Sequence, residues 1–247
     1  MSWSGLNWVM LFGIILGAWV TLLGMSIPDD LREASRVFGR DFWVALCTVS
    51  PDLAGFGRVA LMWVLMSAAM MLPTAVPAFV AYSDLGRTGS EVNLAGLAAG
   101  FLSVWIGFSL IAATLQMALF QADLVSGFGD SRSGLLSALL LGLAGAYQFT
   151  PLKAACLTAC RAPVSFFIGH WHLSPFAMGQ RLGLTCVGCC WALMLLAFVG
   201  GMMSLAFMGL ATVIMTLEKL PDIGRWVDKP LGYALLAACA YLLATAI

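Results

Sequence analysis

Charged residues are what this chain has least of. Asp, Glu, Lys and Arg make up 10% of its 247 residues, where a soluble domain carries about 25%. The twelve basic and twelve acidic side chains cancel to a net charge of zero. Such a chain cannot clothe a globular core in polar surface. It has no basic run and no acidic tail, so the electrostatic footprint of a nucleic-acid partner is missing. Histidine occurs twice. GxSxG, HExxH, Walker and GxGxxG patterns are absent, as are paired carboxylates inside apolar stretches, so hydrolase, nucleotide and proton-pump readings have no support.

What is present is apolar. Hydrophobic residues reach 62% and the mean hydropathy is +0.97, which implies an integral membrane protein in contact with the lipid bilayer. A span needs about 20 apolar residues to cross about 30 Å of hydrocarbon. By that measure the spans are Trp8–Ile27, Val59–Tyr82, Val92–Gln121, Gly134–Thr150 (with a possible continuation to Cys160), Leu182–Leu217 and Pro230–Ile247. Trp8–Ile27 has no basic region before it and no small-residue cleavage site after it, so it reads as a retained first span. Pro28–Gly57 collects most of the charge and reads as a surface segment with one amphipathic helix. Leu182–Leu217 is too long for one straight crossing. It is read as one long or kinked helix, the alternative being a break near Gly200-Gly201. The expected fold class is therefore all-α, a polytopic membrane helix bundle of about six transmembrane helices forming a single domain over 1–247. With six spans, the Lys/Arg count in the loops places the N-terminus outside and the Cys/His segment on the outer side.

Within spans, Pro73 and Pro77 are expected to kink or end the second helix. Gln116 is expected to hydrogen-bond across helices. The Gly- and Ala-rich third and fourth spans suit close helix contact.

Cysteine carries the chemical signal. Five of the seven, Cys156, Cys160, Cys186, Cys189 and Cys190, fall within 35 residues, with His170 and His172 between them. Cys47 and Cys239 lie far away and read as packing. In "TCVGCCWALMLL" the spacing i, i+3, i+4 puts Cys186, Cys189 and Cys190 on one helical face, with Met194 a turn further on. The bland alternative is that these small residues, with Gly188, let two spans approach closely. Thiolate with thioether suits Cu(I), and thiolate with imidazole suits zinc as well. Cys156 and Cys160, at i and i+4, share a face beside Arg161, and a nearby cation favours thiolate. In an extended segment His170 and His172 would face one way and could pinch one metal, whereas in a helix they diverge by about 160°; "PVSFFIGHW" reads as an interfacial helix, which favours one of them at most as a ligand. Most of the 14 methionines read as membrane filler.

The stretches "WVLMSAAMMLP" (Trp63–Pro73), "VWIGFSLIAATLQ" (Val104–Gln116), "YQFTPLKAACLTACR" (Tyr147–Arg161), "GCCWALM" (Gly188–Met194), "GGMMSLAFM" (Gly200–Met208) and "EK" (Glu218-Lys219) resemble one bacterial family over about residues 58–219. Its members are functionally uncharacterised integral membrane proteins predicted to bind metal. The resemblance implies a bacterial inner-membrane location and a metal, but no reaction. Where relatives carry a histidine a few residues before CxxCC, this chain has Leu182.

The sequence thus favours a soft-metal-binding membrane protein, for copper or else zinc, acting in metal handling or in assembly and support of a membrane complex. Cys156, Cys160, Cys186, Cys189 and Cys190 would form the site, with Met194 or His170 completing it, and another membrane or periplasmic protein would be the partner. Binding is favoured over catalysis, and no catalytic residue is assigned. Two alternatives are a membrane thiol–disulfide oxidoreductase using the CxxC of "CVGC" and a purely structural subunit of a larger complex.

Overall fold

The structure is a computed structural model that describes residues 3–26, 52–86, 92–202 and 204–245. The surface segment expected after Pro28, as far as residue 51, lies outside these residues, and so does Cys47.

The described chain is helical: α1 (Trp3–Ser26), α2 (Leu53–Gly86), α3 (Leu94–Gln121), α4 (Gly134–Tyr147), α5 (Pro151–Arg161), α6 (Pro163–His170), α7 (Pro175–Leu195), α8 (Ala197–Gly200), α9 (Leu205–Lys219) and α10 (Gly224–Thr245). Five stretches, α1, α2, α3, α7 with α8, and α10, are long and apolar enough to cross a membrane. The pair α4–α5, bent by 63°, is a sixth if it counts as one span. The all-α bundle and its number of candidate spans agree with expectation, and such helices are consistent with a membrane protein. The bend falls where Thr150 caps α5 by accepting a hydrogen bond from the Lys153 amide and Pro151 opens the helix, the favoured place for proline.

Of the two outcomes expected at Pro73 and Pro77, ending the helix is excluded, since α2 runs through both from Leu53 to Gly86. Proline at 73 leaves the Ala69 carbonyl without its helical donor, and the Trp19 indole of α1 donates to that oxygen at 2.9 Å. A correction concerns Leu182–Leu217, which is not one helix. The chain breaks after α8 at Gly201, whose φ of +91° lies in the left-handed region that glycine tolerates. A broken backbone in an apolar setting needs protein around it. The segment between α3 and α4 supplies it: the Ser131 amide donates to the Phe198 carbonyl at 2.8 Å, and Asp130 accepts from the Met202 amide at 3.2 Å.

Close helix approach depends on small residues, as expected. The largest helix contact is α3 with α7. A methyl group on Gly100 would collide with the Phe176 carbonyl oxygen, and one on Gly179 with that of Leu97. Backbone thus meets backbone, and dispersion contact is gained along the whole seam. Gln116 accepts from the Trp63 indole at 2.8 Å, both groups being buried, which satisfies the expected cross-helix bond between α2 and α3. α7 is held between α3, α5 and α4, and it carries the cysteines into the interior.

Candidate metal centre

Three thiols converge on the buried face of α7. The Sγ atoms of Cys186, Cys189 and Cys190 all lie within 4.8 Å of one another, and none of the residues is more than 2% exposed. Their convergence is a direct result of helical spacing. The Cys189 thiol donates to the Cys186 carbonyl at 3.0 Å, and the Cys190 thiol donates to the same oxygen at 2.9 Å. One carbonyl therefore gathers two sulfurs beside the third. The six described cysteines, Cys156, Cys160, Cys186, Cys189, Cys190 and Cys239, are free thiols.

Two groups from other helices complete the surroundings. Met71 of α2 places its Sδ 3.6 Å from Cys190 Sγ. Two sulfurs bound to one ion at about 2.3 Å each would sit about 3.8 Å apart in a tetrahedral arrangement, so Met71 stands at ligand spacing. From the end of α9, the Lys219 ammonium donates to Cys186 Sγ at 3.1 Å and to Thr74 Oγ1 at 2.6 Å. Thr74 in turn donates to the Met71 carbonyl at 2.9 Å. No carboxylate among the described residues forms an ion pair with Lys219. Its neighbour Glu218 instead takes Lys153 of α5, with Nζ at 2.9 and 3.0 Å from the two carboxylate oxygens. Both of these side chains are at most 2% exposed. Arg161 donates from Nε to the Glu218 carbonyl at 2.8 Å and from an Nη to Asp228 at 2.7 Å. These bonds tie α5, α9 and α10 together behind the thiols.

The remaining sequence-derived candidates lie around this group. Cys156 rests against α7 at Gly188, where a β-carbon would come within 2.6 Å of its sulfur. Glycine there is what admits α5 and its thiol. The Tyr147 hydroxyl donates to the Gly188 carbonyl at 2.5 Å, and its ring packs edge-on to Trp191. Cys160 is half-buried and lines a cavity that also touches Cys186. Met194 is buried one turn beyond Cys190. His170 ends the expected short helix α6 and stacks on Phe166, with Nδ1 2.8 Å from the Phe166 carbonyl. Cys156, Cys160 and His170 fall outside the three-thiol group. His172 is exposed beyond the end of α6.

Sequence reasoning did not assign Met71, Lys219 or the Lys153–Glu218 pair to the site. Their signals were "MMLP", "PLK" and "EK", ionisable or thioether residues set in otherwise apolar runs. None of them has a spacing that names a partner on another helix.

The donor set suits a soft ion. Thiolate and thioether ligands suit Cu(I) and other soft ions. Fold and site together define an all-helical bundle, with helices of membrane-crossing length, built around a buried cluster of thiols of the kind that can hold a metal ion. The chain belongs to the PpoB2 family of copper chaperones, whose model matches residues 60–242. No curated protein and no solved structure matches it.

Proposed function

We propose that this protein is a bacterial inner-membrane copper chaperone. It holds Cu(I) on the thiolates of Cys186, Cys189 and Cys190 with the Met71 thioether, and passes the ion to another membrane or periplasmic protein. The observation that carries this reading is the buried group of three thiols with a fourth sulfur 3.6 Å from one of them. The thioether is what favours Cu(I) over zinc, whose protein ligands are thiolate, imidazole and carboxylate. The family's description supports metal handling and a protein partner for delivery.

Burial of the site supports carriage. A Cu(I) ion among sulfurs that are 1–2% exposed is shielded from water and adventitious oxidants, and ligand exchange then releases it without redox chemistry. The test is elemental analysis of the protein purified from its native membrane without added metal or chelator, with co-purifying chains identified in the same sample. Near-stoichiometric copper that is lost when Cys189 and Cys190 become serine is the expected result. Copper that persists in the double variant, or zinc in its place, overturns the assignment.

A further inference from the structure

The buried triad leaves open how an ion reaches it. All three sulfurs lie in the interior, yet Cys186 borders a cavity of about 130 Å³ that is not fully enclosed. That volume is roughly ten times what a single water needs, so a two-coordinate ion and its waters fit. The wall runs between two kinds of residue. At the inner end is Cys186, 2% exposed, with half-buried Lys219 in contact with its sulfur. At the outer end are half-buried Cys160 and Arg161 with exposed Pro221. Thr74 and Ala78 of α2 form part of the side. Three further cavities, beneath α1, beside Trp226 and between α7, α9 and α10, touch none of the three cysteines.

We propose that this cavity is the copper-loading route, with Cys160 as the hand-off thiol at its outer end and Lys219 as the counter-charge where it meets the triad. This inference rests on the copper reading of the triad.

The chemistry of each step is an exchange of one proton for one Cu(I). An incoming complex of Cu(I) with a small thiolate carrier meets the Cys160 thiol. The carrier–copper bond breaks, a Cys160 Sγ–copper bond forms, and the Cys160 proton leaves on the carrier as its thiol. The same exchange then moves the ion to Cys186, whose proton returns to Cys160. Because Cu(I) and the proton carry the same charge, neither hop changes the charge of the interior, where an uncompensated charge is costly. A second thiolate, from Cys189 or Cys190, makes the complex anionic, and its proton leaves along the cavity to water. At that point a fixed cation is needed. Lys219 Nζ, 3.1 Å from Cys186 Sγ, supplies it, and no carboxylate among the described residues neutralises it first. Lys153, by contrast, is already matched by Glu218.

The experiment follows loading of the purified full-length protein by Cu(I) presented as its glutathione complex, read in stopped flow through the thiolate-to-copper charge-transfer absorption, with copper per chain measured at equilibrium. The chain with Cys160→Ser is expected to reach the same copper content at least tenfold more slowly. Ala78→Leu, which fills the side of the cavity, is expected to slow loading in the same direction, its unchanged equilibrium copper showing that the fold is intact. Cys239→Ser, remote from the triad and packed on Gly142, is expected to load at the unaltered rate. Loading of the Cys160→Ser and Ala78→Leu chains at the unaltered rate overturns the route while the copper site stands. A lower copper content in the Cys160→Ser chain, rather than a slower approach to it, makes Cys160 a ligand and overturns the hand-off. An unaltered protein that takes up no copper overturns the route and the copper reading together.

Discussion

Lys219 Nζ lies 3.1 Å from Cys186 Sγ and 2.6 Å from Thr74 Oγ1, so a half-buried lysine ammonium is paired with a thiol instead of a carboxylate. The adjacent residue, Glu218, points to a different lysine. Consecutive helical positions diverge by about 100°. The dipeptide Glu218-Lys219 therefore cannot satisfy itself, and its two charges serve two places: one locks α9 to α5, and the other faces the sulfurs.

Lys219→Met is expected to weaken Cu(I) binding by about 10- to 100-fold, the usual effect of removing a group that supports metal ligands, with little loss of fold. Thr74 keeps its bond to the Met71 carbonyl, so no hydroxyl is stranded. Competition against a colorimetric Cu(I) chelator measures the affinity. An affinity equal to that of the unaltered chain would remove Lys219 from the site.

Met71→Leu separates thioether chemistry from packing. Leucine and methionine exchange in cores at a cost below about 1.5 kcal/mol, and Met71 is fully buried. Thermal unfolding should therefore shift little, while X-ray absorption of the copper-loaded protein should show one sulfur scatterer fewer. An unchanged sulfur count would exclude Met71 as a ligand.

The Lys153–Glu218 pair is expected to behave as a buried ion pair. Lys153→Met leaves the Glu218 carboxylate without its cation and is expected to destabilise the protein by about 3 to 5 kcal/mol. Replacing both, Lys153→Met with Glu218→Leu, is expected to recover most of that loss, because the stranded charge is gone. Unfolding curves of the two variants in the same detergent decide it. A double variant as unstable as the single one would point to a role beyond mutual neutralisation.

Gly100→Ala is expected to destabilise by about 1 to 3 kcal/mol, the range for overpacking, because the added methyl meets the Phe176 carbonyl oxygen. The same change at Gly107, where a β-carbon has open space, is expected to be neutral or slightly stabilising through helix propensity. Equal stability of the two variants would mean that α3 and α7 do not need their backbone contact.

Class and local chemistry were legible in the sequence because both are short-range. Ten per cent charge and long apolar runs leave helices of membrane-crossing length as the available architecture, and the i, i+3, i+4 spacing places Cys186, Cys189 and Cys190 together through helix geometry alone. Gln116 was legible for the same reason, as a polar group in an apolar run that must find a partner. The path of the chain through Pro73 was not, since its freed carbonyl is met by an indole from a helix fifty residues away. Nor was the break at Gly201, which depends on cover from Asp130 and Ser131.

The sequence by itself therefore determined an all-helical, apolar protein with a triad of thiols on one helical face. Only the tertiary structure decided that the Met71 sulfur lies beside Cys190, that Lys219 faces Cys186 while Lys153 takes Glu218, and that one cavity touches both Cys160 and Cys186. The physical reason is that spacing along one helix is set by 100° per residue, whereas partners from α2, α5 and α9 are selected by packing. That packing depends on which glycines let backbones approach and which buried charges must be matched, and neither has a period that can be read along the chain.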